Sequence, residues 1–133
     1  MFTTERIVEF GMCDSAGILF FAKIFELFHS AYEELVLSSN LDNNFFENEI
    51  FAIPLITSNA TFRKPIAMHE VLQIELSVVD IRESSFELKT DFFDDDNVLK
   101  ATVNTTHVFV SKSEFKKMNI QEEFLDFLKE HKN

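Results

Sequence analysis

Residues 19–37 read LFFAKIFELFHSAYEELVL, and this stretch carries the strongest structural pattern in the chain. Its apolar positions recur at helical spacing and form a wide stripe: Phe20, Phe21, Ile24, Leu27, Phe28, Ala31, Leu35 and Val36. Charged and polar residues occupy much of the opposite face. The spacing therefore predicts a long amphipathic helix. A stripe this wide is buried on one sheet only if the sheet curls around the helix.

Strand-like segments follow the helix, and one precedes it. Composition and alternation predict strands over residues 3–10, 55–62, 71–82, 86–92 and 98–110, and a short helix over 121–131. The apolar phase slips near Val78, which predicts a β-bulge. Residues 38–44 indicate a polar break, and residues 45–51 either a short helix or an irregular cover. The patterns together predict one α+β domain over residues 1–133, with a long helix wrapped by an antiparallel sheet of about five strands.

Composition narrows the classes of function. The 133 residues are 46% hydrophobic, include 17 Phe and carry a formal net charge of −11, which disfavours binding to nucleic acid or anionic membranes. One cysteine excludes an intrachain disulfide framework and a cysteine-based zinc site. No signal peptide and no membrane-spanning run is visible, so we expect a cytoplasmic protein.

The turn before the helix holds one carboxylate, Asp14, together with the two glycines, Gly11 and Gly17. A carboxylate beside the unpaired N–H groups of a helix N-terminus can act as base or nucleophile while those groups hold an oxyanion. The competing interpretation is that Asp14 caps the helix or closes an Asx turn, which is the commonest role of Asp before a helix.

Other residues with reactive or charged side chains allow two interpretations each. A nucleophilic Cys13 needs a histidine base, so a small buried residue is the favoured interpretation. His29 and Glu33 share a helix face and could form an acid–base pair or part of a metal site, although a surface hydrogen bond is favoured. The local clusters of cationic residues could bind the phosphates of a ligand, or they could be ordinary solvated residues at strand ends. These residues are Arg63, Lys64, Lys112, Lys116 and Lys117.

The run from Phe10 to Phe21, FGMCDSAGILFF, resembles the motif of the hotdog-fold acyl-CoA thioesterases, in particular the 4-hydroxybenzoyl-CoA thioesterase-like family. Residues 28–34 resemble the family's helix, and residues 60–65 resemble the opening of its second strand. The likeness thus covers nearly the whole chain. The chain departs from the family at His69-Glu70, where many relatives have Gly-Asp, and at Phe21, where some have Tyr.

The resemblance implies hydrolysis of an acyl-CoA to the free acid and CoA. Asp14 would be the nucleophile or the general base, and the backbone N–H groups of Phe20 and Phe21 would receive the oxyanion. Gly17 would let the backbone turn tightly toward the ligand. The residues expected to bind substrate are Arg63, Lys64, Lys112, Phe20 and Ile24.

The resemblance also implies a homodimer or homotetramer with active sites between subunits. The partner would be an acyl-CoA or an acyl carrier protein thioester, with no metal and no cofactor, since CoA is part of the substrate. The acyl group, aromatic or aliphatic, stays open. Two alternatives remain: a non-catalytic hotdog protein that binds acyl-CoA or acyl carrier protein, and a hotdog enoyl-CoA hydratase, whose typical active-site His is missing from the 11–17 turn.

Overall fold

The computed structural model describes residues 1–41 and 45–133 of the chain. Its long helix is α1 (Lys23–Ser38), and a shorter helix, α2 (Glu122–Glu130), lies near the C-terminus. A 3₁₀ turn spans Phe10–Met12. The strands are β1 (Phe2–Ile7), β2 (Phe51–Ala52), β3 (Leu55–Phe62), β4 (Val71–Ile81), β5 (Ser85–Phe93), β6 (Leu99–Val108) and β7 (Val110–Ser111).

Five of the strands form one antiparallel sheet in the order β1-β4-β5-β6-β3, and β2 pairs with β7 in a separate ribbon. Strands β4, β5 and β6 are consecutive neighbours because short turns join them, whereas β3 lies on the far side of β6. Strands β1 and β3 are therefore the two edges. The predicted α+β class, with a long helix and a five-stranded antiparallel sheet, is confirmed.

The core lies between α1 and the inner face of the sheet. Alternate residues of β4 and β5 point inward and are at most 1% exposed: Leu72, Ile74, Leu76, Phe86, Leu88 and Phe92. The helix contributes Ile24, Leu27, Phe28, Ala31, Leu35 and Val36. Full burial of each larger side chain stabilises the fold by about 1.5–3 kcal/mol. This packing fixes α1 on the sheet and thereby fixes the position of its N-terminus.

The predicted β-bulge is present. The pairing of β4 with β5 shifts register between Val78 and Asp80, so Val79 has no direct partner and is 46% exposed. The extra residue explains why the apolar alternation changes phase there.

Three predicted boundaries were wrong. The last strand, predicted over residues 98–110, ends at Val108, and Val110–Ser111 form β7, which pairs with β2 instead. The helix begins at Lys23 rather than near Leu19, because the amide of Leu19 donates to the carbonyl of Ile66 and the amide of Phe20 to that of Met12. The first strand ends at Ile7 rather than residue 10. The described part of the polar break agrees with the prediction, while residues 42–44 lie outside the described residues. Residues 45–50 form an irregular cover in which Asn48 Oδ1 accepts the amides of Ile50 and Phe51.

Candidate active site

Asp14 lies in a tight turn between the 3₁₀ turn and α1. Its amide donates to the carbonyl of Ile18 at 3.0 Å, and its carbonyl accepts the amide of Gly17 at 3.1 Å. One carboxylate oxygen, Oδ1, accepts the amide of Ala16 at 2.8 Å, which closes an Asx turn. The other oxygen has no hydrogen-bond partner among residues 1–41 and 45–133, and the side chain is exposed. Asp14 thus closes the turn with one oxygen and leaves the second oxygen open to a ligand.

The backbone at the start of α1 offers unpaired donors, but not the expected pair. The amide of Phe20 donates to the carbonyl of Met12 at 2.9 Å, so it is already occupied, and the prediction of Phe20 as an oxyanion donor needs correction. Within the described chain, the amides of Phe21 and Ala22 have no acceptor. These two N–H groups lie at the positive end of the helix dipole, where an anion is stabilised. Ala22 is a candidate that the sequence pattern did not reveal.

Asp14 and the residues just before α1 line one groove with the end of β3 and the loop that follows it. The groove has a volume of about 440 Å³ and is lined by Asp14, Ile18, Leu19, Phe20, Phe21, Phe62, Arg63, Lys64, Pro65 and Ile66. The rings of Phe20 and Phe21 are 5.0 Å apart and are 43% and 63% exposed. The carboxylate residue Asp14, the exposed aromatic rings and Phe21, whose amide is unpaired within the described chain, therefore line one cleft of ligand size.

The groove also contains two unpaired cations, Arg63 and Lys64. Both side chains are exposed and form no ion pair or hydrogen bond with any described residue. Several other basic side chains of this acidic chain are engaged, for example Arg6 with Glu34 at 2.9 Å. Unpaired cations in a chain of net charge −11 are suited to an anionic ligand.

Three predicted site residues lie outside this groove in the single chain. Gly17 has a φ of +78° and bends the turn, and its carbonyl accepts the amide of Met68. Ile24 is 0% exposed and belongs to the core, which is why it cannot contact a ligand in the groove. The ammonium of Lys112 donates to the carbonyl of Asn48, well outside the groove lining. Cys13 is also absent from the lining, and its thiol lies 3.6 Å from the carbonyl of Glu9.

A second cavity, of about 510 Å³, opens between α1 and β3 one helical turn further along. Its lining residues are Phe25, Glu26, Phe28, His29, Ser30, Glu33, Leu55, Ser58 and Thr105. His29 and Glu33 therefore do share a face, as their spacing predicts, and they give the cavity a polar rim. No group of three or more His, Cys, Asp or Glu residues that could hold a metal occurs in the part of the chain that is described.

Beneath this cavity lies a buried aromatic cluster around His107. The His107 ring stacks on Phe86 with centroids 4.7 Å apart, and its Nε2 shares a hydrogen bond of 2.9 Å with the Thr105 hydroxyl. Burial, and secondarily the nearby His29, lowers the pKa of His107 to about 4. Burial raises the pKa of the neighbouring Tyr32 hydroxyl far above its usual value. Both side chains are neutral at neutral pH.

Related sequences identify the family. The sequence model of the thioesterase-like superfamily matches residues 8–128. The 1,4-dihydroxy-2-naphthoyl-CoA hydrolase of Crocosphaera subtropica is 30% identical over 112 residues, which is 82% of this chain and 82% of that protein. The protein of the same name from Nostoc punctiforme is 29% identical over 128 residues, which is 96% of this chain and 86% of that one.

Solved structures agree with the sequence comparisons. A 1,4-dihydroxy-2-naphthoyl-CoA thioesterase from Synechocystis has a TM-score of 0.88 and 26% identity, and the match covers 96% of this chain and 94% of that one. A 4-hydroxybenzoyl-CoA thioesterase in complex with 4-hydroxybenzoyl-CoA has a TM-score of 0.83 over 96% and 97% of the two chains, and at 19% identity it supports the fold alone. The resemblance to the 4-hydroxybenzoyl-CoA thioesterase-like proteins is confirmed. The chain belongs to the thioesterase-like superfamily and is a hotdog-fold thioester hydrolase.

Proposed function

We propose that the chain hydrolyses a hydroxylated aromatic acyl-CoA, with Asp14 as the catalytic carboxylate. The observation that carries this proposal is the groove itself. It brings an open carboxylate oxygen of Asp14, the unpaired amide of Phe21 and two unpaired cations to one cleft. Each feature matches a different part of the substrate. The carboxylate matches the carbonyl carbon of the thioester, the amide matches the carbonyl oxygen, and the cations match the phosphates of CoA.

Asp14 can open the thioester in two ways. As a nucleophile, its free oxygen attacks the carbonyl carbon, the CoA thiolate leaves with the electron pair of the C–S bond, and water then hydrolyses the mixed anhydride. As a general base, the carboxylate takes a proton from a water molecule that attacks the same carbon, and the CoA thiolate leaves. In both routes the carbonyl oxygen gains negative charge. We propose that the amides of Phe21 and Ala22, which have no acceptor among the described residues, receive this charge.

The CoA end of the substrate would meet Arg63 and Lys64. These residues follow directly after β3 and lie in the same groove as Asp14. CoA carries phosphate groups, and a charge-assisted hydrogen bond from Arg or Lys to phosphate is among the strong polar contacts in proteins. The absence of any intrachain ion pair at these two residues within the described structure leaves both cations available.

The acyl group would occupy the second cavity. We propose that the groove opens into this cavity, since Phe21 lines the groove and Phe25, four residues later, lines the cavity. The cavity combines aromatic walls with polar groups of His29, Ser30 and Glu33, among others. Such a lining suits a ring that carries hydroxyl groups. The naphthoyl-CoA hydrolases among the relatives act on a ring of this kind, as their names state.

We further propose that two copies associate through β3 to give a homodimer, or that two such dimers form a homotetramer. Every residue of this edge strand is at least partly exposed, and it carries Leu55, Ile56 and Phe62 at 41%, 58% and 42% exposure. A long apolar edge with unpaired backbone groups is suited to pairing with another strand.

An acyl carrier protein is a second possible carrier of the acyl group. We propose that the enzyme acts in the cytoplasm; among the described residues, no helix has the length and apolar character needed to cross a membrane.

A panel of acyl thioesters tests the proposed substrate class. The purified chain is assayed with 1,4-dihydroxy-2-naphthoyl-CoA, 4-hydroxybenzoyl-CoA, benzoyl-CoA, a short and a long aliphatic acyl-CoA, and an acyl carrier protein thioester. We expect the highest kcat/KM for a hydroxylated aromatic CoA ester. The variant Ser30→Ala removes one hydroxyl from the cavity. It should lower the ratio of kcat/KM for the hydroxylated aromatic ester to kcat/KM for benzoyl-CoA. A clear preference for an aliphatic or carrier-protein thioester would contradict the proposed substrate.

A further inference from the structure

Lys100, on β6, binds the loop that forms one wall of the groove. Its side chain is 14% exposed, and its ammonium lies 3.2 Å from Glu70 Oε1 and 3.8 Å from Asp94 Oδ2. The same ammonium donates to the carbonyl of Pro65 at 2.9 Å. The two carboxylates are each 17% exposed. One largely enclosed cation therefore joins the β3–β4 loop to the β5–β6 turn.

The main chain of Lys100 also binds this loop. Its carbonyl accepts the amides of Arg63 at 2.8 Å and Lys64 at 3.2 Å. Lys100 thus binds three consecutive residues, 63 to 65, with its backbone carbonyl and its side-chain ammonium. Two of these residues carry the unpaired cations of the groove.

The loop continues this connection to the Asp14 turn. Glu70 Oε2 accepts the amide of Ala67 at 2.8 Å, which closes the loop on itself. The carbonyl of Ile66 then accepts the amide of Leu19 at 2.8 Å. These hydrogen bonds therefore connect the backbone that carries the two cations to the segment next to Asp14, whose own amide donates to the carbonyl of Ile18.

We propose that Lys100 is a positioning residue that places Arg63 and Lys64 for the phosphates of the CoA substrate, an inference that rests on the proposed function. Lys100 does not line the groove, so it would not touch a ligand bound there. It acts through the loop. Its ionic contacts are stronger than those of a surface pair because little solvent reaches them. Removal of its charge leaves two carboxylates unpaired and frees the Pro65 carbonyl.

The test compares Lys100→Met on two substrates that share one acyl group, the CoA thioester and the pantetheine thioester that lacks the nucleotide phosphates. We expect KM for the CoA ester to rise about 10-fold, because one charge-assisted hydrogen bond to phosphate is lost. The change in kcat should be smaller. KM for the pantetheine ester should change by less than about two-fold, since it makes no such contact. Lys100→Arg should restore much of the CoA discrimination.

A matched control is Arg82→Met. Arg82 also pairs with two carboxylates, Asp80 at 2.6 Å and Glu87 at 3.0 Å, but at the β4–β5 turn. Arg82→Met should leave KM unchanged for both the CoA thioester and the pantetheine thioester. If Lys100→Met does not fold, Glu70→Gln provides the same test, because it removes the principal partner of the ammonium and keeps the cation.

The Kd for free CoA, measured by calorimetry, separates the positioning role of Lys100 from the proposed function of the chain. A weaker Kd for CoA in Lys100→Met, with the CoA-specific rise in KM, supports the positioning role. An unchanged Kd, or an equal loss on both thioesters, overturns it. Failure of the wild-type chain to hydrolyse any acyl-CoA contradicts the proposed function, whatever the Kd measurements show.

Discussion

The buried His107 should make the stability of the fold depend on pH between about 6.5 and 4. In the folded chain the pKa of His107 is lowered to about 4, mainly by burial, whereas the ordinary value is 6.5. The unfolded chain therefore binds a proton in this window that the folded chain does not. The stabilisation from a neutral His107 is complete above pH 6.5 and is lost as the pH falls toward 4.

The size of this effect follows from the shift. One pKa unit corresponds to about 1.4 kcal/mol, so the full window is worth about 3 kcal/mol of unfolding free energy. His107 is 1% exposed, so solvent screening lowers this free energy only slightly. A loss of this size is a large part of the stability of an ordinary domain.

Urea unfolding at pH 7.5 and pH 4.5 measures the effect in the wild type and in His107→Gln. Glutamine cannot titrate, so the variant should lose about 2–3 kcal/mol less than the wild type between the two pH values. His29→Gln is the matched control: it removes the secondary cause and should reduce the wild-type loss slightly. Other groups with shifted pKa values, such as Glu34, are common to all three proteins. Equal losses in the wild type and His107→Gln would refute the reasoning.

Three further predictions concern the fold and the assembly. His69 has a φ of +66°, so His69→Gly should raise the unfolding free energy by about 0.5–1 kcal/mol in denaturant titration, and a loss of stability would contradict this. Phe124 is 0% exposed among other aromatic rings, so Phe124→Ala should cost about 3–5 kcal/mol in the same assay, and a cost under about 1 kcal/mol would be inconsistent with its burial. Ile56→Lys places a charge on the β3 edge and should convert the proposed dimer to a monomer in sedimentation velocity without unfolding the chain; an unchanged assembly would exclude this edge as the interface.

Local periodicity was enough to predict most of the fold. The apolar stripe of the helix, the alternation in β4 and β5, and the phase slip at Val78 each depend on neighbouring residues, and the structure confirms them. The start of the helix was misplaced because Leu19 and Phe20 are bound by carbonyls of other segments. Such contacts have no local signature in the sequence.

The site could be predicted only in part for the same reason. Asp14, Phe21, Arg63 and Lys64 do meet in one groove. The carbonyl of Met12 occupies the amide of Phe20, whereas the amide of Ala22 has no acceptor among the described residues, and only the folded turn reveals this difference.

His69-Glu70, where the chain departs from the family pattern, shows how a substitution can keep the local structure. His69 adopts the left-handed backbone that glycine favours, at some cost, and Glu70 supplies a carboxylate to Lys100. The sequence showed the departure, but it could not show these contacts because Lys100 lies thirty residues further on.

The most direct test of catalysis by Asp14 is the turnover of Asp14→Asn with a hydroxylated aromatic acyl-CoA. Asparagine keeps an oxygen that can accept the Ala16 amide, so the Asx turn and the fold should persist. It cannot act as a carboxylate nucleophile or base, so kcat should fall at least about 100-fold while the Kd for CoA and the thermal midpoint stay unchanged. A variant that turns over within about two-fold of the wild-type kcat would contradict the role of Asp14 in the chemistry.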